Sequence, residues 1–290
     1  MSGVYSSWGL DSMAQLLGLC RFSYPSEVSA FGHDHPNLDA LRTYLYSPER
    51  LVMRLFIFEH FVLPSVQSQT DPDFTLLVLA GDEMPDDAKA RLTALCDRAP
   101  QIVLLLLPEG QVHRDVCSDV MRGHRDRDTD IVAEFRLDDD DALARDFIAT
   151  ARRHLDQHAS LFHESESLCI DYCRGHLIAF DQDGVRGQPV IERMWTPAQI
   201  ICRKPAAKQS LLNTNHMQLW RNMPTISWQK HPMFIRGAHG DNDSDLINRN
   251  AYRNKWMPLT GDYAEQIGKR FDVDAGALGT RWAAVDLGAR

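Results

Sequence analysis

The sequence lacks long apolar runs, and it has fewer basic than acidic residues, 31 against 40. None of its hydrophobic stretches approaches the roughly 18 residues that cross a bilayer. Its 290 residues carry a formal net charge of −9. Nucleic-acid binding needs clustered lysine and arginine, so we expect neither a transmembrane segment nor a nucleic-acid partner. The first residues also lack the basic and apolar segments of a secretory signal.

Cysteine is sparse, and its spacing excludes some common sites. The 6 cysteines form no Cys-x-x-Cys pair. A chain of this length does not need disulfides to fold, so we interpret them as reduced, mostly buried thiols. This predicts a cytoplasmic protein. Peripheral contact with the inner face of a membrane stays open.

Several catalytic motifs are also missing. We find no Gly-x-Ser-x-Gly elbow, no P-loop and no strand followed by Gly-x-Gly-x-x-Gly. These absences argue against an α/β-hydrolase nucleophile, a P-loop phosphate site and a dinucleotide-binding fingerprint.

The first half of the chain alternates apolar runs with segments of helical spacing. The strand-like runs are 13–22, 74–80, 102–107 and 131–137, and the helix-like segments are 49–62, 86–98, 112–124 and 147–155. Pro64 is expected to break or restart the first helix. Short apolar strands between helices predict an α/β fold whose mostly parallel sheet is covered on both faces. Ligands of such sheets lie beyond the carboxyl ends of the strands.

The second half has shorter and more mixed segments. The strand-like stretches are 168–180, 190–195 and 199–203. They predict a smaller, partly antiparallel sheet, followed by a closing helix over 263–271 and an irregular end. No linker demands a separate domain. We therefore predict one domain over 1–290, with a nucleotide-sugar-binding half near 13–158 and an acceptor-side half near 159–290.

Four consecutive aspartates, Asp138 to Asp141, follow the last strand of the first half. Period-2 alternation would place Asp138 and Asp140 on the same side as Arg136. Carboxylates at i and i+2 can converge on Mg²⁺ or Mn²⁺, whose coordination substrate phosphates often complete. Arg136 could add a fixed positive charge toward the same ligand. The plainer alternative is a solvated acidic loop in which Asp141 caps the next helix. The position after an apolar strand favours the metal site.

A second notable segment is 233–244, in which a short apolar strand leads to Arg236 and His239 between glycines. A neutral imidazole is a good ligand for Mn²⁺ or a similar metal, so His239 is a candidate ligand. The acidic spacing over 241–245 is also typical of a calcium loop, but the glycine and terminal glutamate of an EF-hand are absent.

The segment 135–143 resembles the Asp-x-Asp region of GT-A glycosyltransferases. The chain further resembles a bacterial rhamnosyltransferase family of the GT-A type. The matching segments are 20–23, 58–70, 73–74, 81–85, 195–199 and 235–244. The resemblance covers most of the chain, and the order of its motifs is more specific than any one of them. It implies a GT-A-like fold and a transferase that uses a nucleoside-diphosphate sugar, with rhamnose as one possible sugar.

The resemblance also implies residue roles. It makes Asp138 and Asp140 the pair that contacts the donor ribose and the metal, and it makes His239 a metal ligand on the far side. Asp141 would orient the donor sugar or the ligand shell. Arg21 and Asp82, at the ends of the first two strands, would meet the nucleotide base and ribose. The metal would be Mn²⁺ or Mg²⁺.

The implied reaction transfers a sugar to an acceptor hydroxyl of a glycan, a lipid-linked molecule or a small molecule. An inverting enzyme needs a carboxylate to deprotonate that hydroxyl. Asp243 is the preferred candidate because it follows His239, and Glu192 and Asp171 are alternatives. A retaining outcome stays open. Three tryptophans of the second half, Trp195, Trp220 and Trp228, are candidates for stacking on the acceptor or for the core.

Two other functions stay open. The first is a metal-dependent nucleotidyltransferase, which would share the aspartates at the end of a strand. That class favours a Gly- and Arg-rich loop after the first strand, and the segment 21–25 does not resemble one. The second is a non-catalytic sugar-binding or scaffold protein with a degenerate site.

Overall fold

A computed structural model describes residues 14–30, 35–240, 246–247, 249, 251–252 and 255–285. The strands in these residues are β1 (Ala14–Arg21), β2 (Thr75–Gly81), β3 (Ile102–Leu107), β4 (Ile131–Arg136), β5 (Ala142–Leu143), β6 (Ser167–Tyr172), β7 (Arg174–Asp181), β8 (Gly184–Ile191), β9 (Gln199–Arg203), β10 (Thr225–Trp228), β11 (Phe234–Ala238) and β12 (Met257–Pro258). All four strands predicted in the first half are present.

The α-helices connect and cover these strands. In the described residues they are α1 (Leu38–Leu45), α2 (Pro48–Ile57), α3 (Leu63–Gln67), α4 (Asp86–Cys96), α5 (His113–Gly123), α6 (Phe147–Gln157), α7 (Ala159–Ser165), α8 (Gly261–Phe271) and α9 (Ala275–Ala283). The sequence predicted an irregular end after residue 271. This was wrong, because α9 forms there and buries Leu278 and Trp282 against the core.

The larger sheet has the strand order β10-β6-β9-β4-β1-β2-β3 in the described residues. The pairs β1–β2, β1–β4, β2–β3 and β6–β10 are parallel, and β9 runs antiparallel to both of its neighbours. Residues of α2 and α4 belong to the core on one face of this sheet, and residues of α5 belong to the core on the other. The predicted α/β class with a mostly parallel sheet flanked by helices is confirmed.

The smaller sheet has the order β12-β8-β7-β11-β5 and is mixed, with β7–β11 as its parallel pair. Its strand β5 comes from the first half of the chain, whereas β6, β9 and β10 of the larger sheet come from the second. Each sheet therefore takes strands from both sides of residue 158.

Two local predictions need correction. The stretch 168–180 was predicted as one element, but it divides at Cys173 into β6 and β7, which belong to different sheets. The apolar run of β3 predicted burial on both faces. Because β3 is an edge strand, Val103 and Leu106 are each 38% exposed.

The helix that begins at Pro48 does not break at Pro64. It continues from α2 through a π-helical turn, Phe58–Val62, into α3. Pro64 is the second residue of α3 and follows the π-helical turn directly. Helical structure thus persists along one face of the sheet, and its buried side includes Leu51, Arg54 and Leu55.

A buried histidine in the smaller sheet makes stability depend on pH. His176 is 8% exposed, and its Nδ1 lies 3.0 Å from the hydroxyl of Tyr263. Burial, together with the charge of Arg174, lowers the pKa of His176 to about 4. The unfolded chain has a histidine pKa near 6.5, so the fold favours the neutral form. This stabilisation is fully present above pH ~6.5 and is lost as the pH falls toward 4.

We expect this residue to lower the free energy of unfolding by up to about 3 kcal/mol between pH 6.5 and 4. Urea unfolding across this range, on wild type and on His176→Gln, measures the effect. Glutamine can still bond to Tyr263 but does not titrate, so the variant should show the shallower pH dependence. Equal slopes in the two proteins would contradict the assignment.

Candidate active site

The connectivity of the larger sheet opens a crevice between β1 and β4. The chain leaves β1 toward helices on one face, and it enters β4 from α5 on the other face. These neighbouring parallel strands end at Arg21 and Arg136. The point where the strand order reverses is where open α/β sheets bind ligands. The aspartates follow β4 directly, so they lie at this edge.

Arg21, Arg136 and Asp138 form one charged group at the mouth of the crevice. Arg136 donates from Nε and Nη2 to the two carboxylate oxygens of Asp138, at 2.8 and 2.9 Å, and Arg21 lies 3.9 Å from the same carboxylate. Burial opposes ionisation of Asp138, but the charges of Arg136 and Arg21 prevail and hold its pKa below the usual value. The side chains are 20–24% exposed, so a ligand can reach them.

Asp140 belongs to a second, more deeply buried group. Its Oδ2 accepts a hydrogen bond from Arg54 at 3.1 Å and lies 2.9 Å from Nε2 of His239. Arg54 also donates to Asp139 at 2.8 Å. Burial raises the pKa of Asp139 to about 6, whereas Arg54 and His239 outweigh burial at Asp140 and lower its pKa.

The alternation predicted for Asp138 and Asp140 was therefore wrong. The strand ends at Arg136, and the N–H of Asp141 donates to the carbonyl of Asp138 at 3.1 Å in a tight turn. The turn sends Asp138 toward Arg136 and sends Asp140 toward Arg54 and His239.

Strand pairing explains why His239 reaches Asp140. In the antiparallel pair of β11 with β5, Ile235 lies opposite Ala142. Continued past Ala142, this register brings Gly237 against Asp140. The N–H of Gly237 donates to Asp141 at 3.2 Å, and a Cβ at Gly237 would lie 2.2 Å from the carbonyl oxygen of Asp140. Only glycine permits so close an approach of the two backbones. Asp141 is 2% exposed, and burial, with the charges of Asp140 and Asp138, raises its pKa well above the usual value.

Only two of the three predicted metal ligands, Asp140 and His239, are in contact with each other. In the part of the chain that the structure describes, no group of three His, Cys, Asp or Glu side chains is arranged to hold a metal ion. Asp140 and His239 are adjacent, and Asp138 points to the arginines. A carboxylate and an imidazole fit a divalent ion that takes its remaining ligands from substrate phosphate and water.

A cavity of about 340 Å³ adjoins Arg136 on the α5 side of the sheet. Its polar lining includes Arg114, Arg136, Gln199, Asn215 and His216. A neighbouring cavity of about 390 Å³ shares Arg114 and Arg136 with it. Two arginines thus border open space together with the carboxylates Glu134, Glu27 and Asp115, a setting that suits a polar ligand.

Asp82 lies at the same sheet edge but outside both charged groups. Its N–H donates to the carbonyl of Leu107, and its own carbonyl accepts from Lys89. Its charge acts instead on Tyr24 and Tyr46, whose pKa values burial chiefly raises. The structure thus does not bring Asp82 into contact with Arg21.

The candidate catalytic bases differ in their surroundings. Asp243, and with it the acidic segment 241–245, lies outside the described residues. Asp171 accepts from the N–H of Met194 at 2.9 Å and from the hydroxyl of Ser227 at 3.1 Å, so both of its oxygens are engaged. Glu192 accepts a hydrogen bond from the hydroxyl of Tyr252.

The three tryptophans also separate. Trp195 is 7% exposed and stacks under Arg236, and Trp228 packs against His154. Trp220 is 54% exposed and follows the cavity residue His216 in one 3₁₀ helix, His216–Arg221. Trp220 is therefore exposed, although the guanidinium of Arg221 lies over its ring at 5.1 Å from the centroid.

Arg54 was not predicted as a site residue, and Asp139 was predicted only as part of the run Asp138 to Asp141. A signal for Arg54 was present, because its spacing places it on the buried face of α2 beside Leu51 and Leu55. An arginine is almost never fully buried unless it is paired. Asp139 carried no distinguishing signal within the run of four.

Comparison with known protein families identifies the family of this chain. A protein family described as "Putative rhamnosyl transferase" matches residues 15–250, which is far more than half of the chain. This chain belongs to that family. Membership assigns it to the glycosyltransferases, as the resemblance of its motifs predicted. No curated protein matches the sequence.

Several solved structures align with this chain at low sequence identity. S. aureus TarS (residues 1–349, with UDP) aligns at 11% identity and a TM-score of 0.41, over 77% of this chain and 60% of TarS. The mannosyltransferase PcManGT from Pyrobaculum calidifontis, with GDP-Man and Mn²⁺, aligns at 12% identity and a TM-score of 0.36, over 77% and 56%. A 4-diphosphocytidyl-2C-methyl-D-erythritol synthase from Anaerococcus prevotii aligns at 9% identity and a TM-score of 0.32, over 83% and 99%.

The chain spans 60% of the length of the TarS chain that it aligns with. In the residues described, no helix combines the length and the apolar character that crossing a membrane requires. All six cysteines are free and buried.

Proposed function

We propose that this glycosyltransferase moves a sugar from a nucleoside-diphosphate sugar to an acceptor hydroxyl with the help of Mn²⁺ or Mg²⁺. The observation that carries the proposal is the contact of Asp140 with His239, 2.9 Å apart, beside the arginines at the end of β1 and β4. It supplies adjacent oxygen and nitrogen ligands next to groups that bind anionic oxygens. The family's own description makes rhamnose the first sugar to test.

The donor would lie across the crevice between β1 and β4. Arg136 and Arg21 bind its phosphate or ribose oxygens, and Asp138, held at 2.8 Å from Arg136, accepts hydrogen bonds from ribose hydroxyls. Asp141 follows Asp140 in the chain, and its proposed role is to orient the aspartate turn or the donor sugar. Asp82 is the proposed contact for the nucleotide base at the next strand end.

Asp140 and His239 would hold the metal, which, when bound, neutralises charge on the leaving diphosphate. Their burial excludes water and strengthens every charge interaction around them. Arg136 and Arg114 line the same cavity, so they can stabilise the negative charge that develops on the leaving diphosphate as its bond to the sugar breaks.

The acceptor side is proposed from the remaining groups. Asp243 is the proposed base that removes the proton of the acceptor hydroxyl in an inverting reaction. The exposed ring of Trp220 is a surface on which an acceptor sugar can stack. Glycan, lipid-linked and small-molecule acceptors all present the hydroxyl that this chemistry needs, and a lipid-linked acceptor would bring the protein to a membrane surface.

A thermal-shift panel tests the donor site. Nucleoside diphosphates and nucleotide sugars, with UDP, GDP and dTDP as the bases, are added with Mn²⁺ or with EDTA. A ligand at about 100 times its Kd stabilises the native state by roughly 2.7 kcal/mol, so we expect one base to raise the Tm by roughly 5 °C in Mn²⁺ and less in EDTA.

The matching nucleosides, which lack phosphate, are the controls and should produce little shift. An equal shift in EDTA would contradict the metal assignment. No shift with any nucleotide would contradict the donor site itself.

A further inference from the structure

Arg54 occupies an unusual place for an arginine. It lies on the buried face of α2 and is 6% exposed. One of its nitrogens, Nη1, donates to Asp139 at 2.8 Å and to Asp140 at 3.1 Å. Both carboxylates are also buried, at 6% and 5% exposure. A guanidinium between two buried carboxylates is an internal counter-ion, since buried charges need compensation.

Arg54 contacts the same carboxylate oxygen of Asp140 that would bind the metal. Oδ2 of Asp140 accepts from Arg54 and also lies 2.9 Å from Nε2 of His239. A divalent ion between Asp140 and His239 must therefore share this oxygen with Arg54 or displace it. Mg²⁺ and Mn²⁺ bind carboxylate oxygens at about 2.1 Å, which would put the ion within a few ångströms of the guanidinium.

We propose that Arg54 is the resting counter-ion of Asp139 and Asp140, so that a divalent metal binds weakly alone and tightly only together with the donor diphosphate. This inference rests on the proposed function. It assigns to Arg54 a positioning role that acts through Asp140, without contact with the substrate.

The charges explain the order of binding. In the resting site, Arg54 already offsets much of the charge of Asp139 and Asp140, so a metal gains less from them and is repelled by the guanidinium. A diphosphate brings negative charge and fresh oxygen ligands to the same edge, where Arg21 and Arg136 receive it. Phosphate oxygens would supply ligands that the metal lacks in the resting site, and Arg54 would keep its contact with Asp139.

Titration with Mn²⁺ alone, followed by the loss of the free-ion EPR signal, tests the idea without any assay of activity. We expect Arg54→Met to raise the affinity for Mn²⁺ alone about tenfold or more, because the repelling charge is gone. Arg54→Lys keeps the charge, so its affinity for Mn²⁺ alone should stay close to that of wild type. Arg91→Met, which removes an exposed partner of Glu59, is the matched control and should change nothing.

The coupling between nucleotide and metal provides a second test, first in the wild-type protein. With the nucleoside diphosphate identified by the thermal-shift panel, its affinity for Mn²⁺ should rise by about tenfold or more, and that gain should shrink in Arg54→Met. Circular dichroism shows which variants are folded. If Arg54→Met does not fold, two measurements still test the proposal. They are the affinity of Arg54→Lys for Mn²⁺ alone, and the gain in Mn²⁺ affinity that the nucleotide produces in wild type.

The outcomes separate this inference from the proposed function. Equal affinity for Mn²⁺ alone in wild type and Arg54→Met overturns the role of Arg54 and leaves the metal site standing. Wild type that binds Mn²⁺ alone as tightly as with nucleotide also overturns it. If no protein binds Mn²⁺ under any condition, both the role of Arg54 and the metal site of the proposed function fall.

Discussion

Asp140→Asn should reduce sugar transfer by roughly 100- to 1000-fold and leave the fold intact. The variant keeps the shape of the side chain but removes the negative charge that faces His239 at 2.9 Å. An amide oxygen is a much weaker ligand than a carboxylate, so the metal pair would lose its anionic member. Arg54 would keep Asp139 as a charged partner, which limits the loss of stability.

The assay is release of nucleoside diphosphate from the sugar donor that the thermal-shift panel identifies. The matched control is Asp146→Asn, the same change at a more exposed aspartate paired with Arg270. It should retain full activity, since exposed ion pairs contribute little. If Asp140→Asn transferred sugar at the wild-type rate, the assignment of Asp140 to the metal would be wrong, and a metal-independent use of the arginines would replace it.

The parallel half of the fold follows from local patterns in the sequence. The runs at β2 and β3 are short and apolar, and each is followed within five residues by a segment with helical spacing. Such units pack in one way, because right-handed crossovers place each helix over the sheet. The prediction that functional residues follow the strands rests on this geometry. The structure places the two charged groups that contain Arg21 and Asp140 at the ends of strands.

The internal arrangement of the acidic run could not be predicted in the same way. Alternation along a strand holds only while the strand lasts, and β4 ends two residues before Asp138. The turn that follows depends on the distant strand β11, whose glycine accepts the close approach of Asp140. Sequence alone does not show which segment pairs with β5, so it could not separate Asp138 from Asp140.

Arg54 illustrates a signal that was available. Its neighbours at i−3 and i+1, Leu51 and Leu55, both face the core, so an arginine between them must be buried as well. A buried arginine needs an acidic partner, and an unbroken run of aspartates is the obvious source. The partner itself lies 85 residues away along the chain, and only the tertiary fold identifies it.

In the second half of the chain, sequence periodicity does not predict where strands begin and end. The stretch 168–180 mixes apolar residues with Asp171, Arg174 and His176, and it was predicted as one element although the change of sheet falls at Cys173. The N–H of Cys173 donates to Trp228, and its carbonyl accepts from Glu192. These partners are 55 and 19 residues away in sequence, so the division of the stretch arises from tertiary contacts.

Gly237→Ala should have a large effect for a change of one methyl group. The new Cβ would lie 2.2 Å from the carbonyl oxygen and 2.9 Å from the Cβ of Asp140, and backbone atoms cannot move aside as a flexible side chain can. β11 and the aspartate turn must therefore separate. The separation weakens the bond from Gly237 to Asp141 and pulls His239 away from Asp140.

We expect Gly237→Ala to lower the free energy of unfolding by about 1–3 kcal/mol, the usual cost of overpacking. Sugar transfer should fall by roughly 100-fold, because misplacing catalytic groups by about 1 Å costs that much. Urea unfolding and the nucleotide-release assay measure the two effects. The matched control is Gly276→Ala in α9, where an added Cβ meets nothing within 4 Å and helix propensity favours alanine.

The two effects carry different information. A loss of stability alone, with normal activity in the folded fraction, would mean that β11 and the aspartate turn separate without disturbing the contact of Asp140 with His239. A loss of both would tie sugar transfer to the close approach of the two backbones. Wild-type stability and activity together would contradict the register that brings Gly237 against Asp140, and with it the placement of His239 at the metal pair.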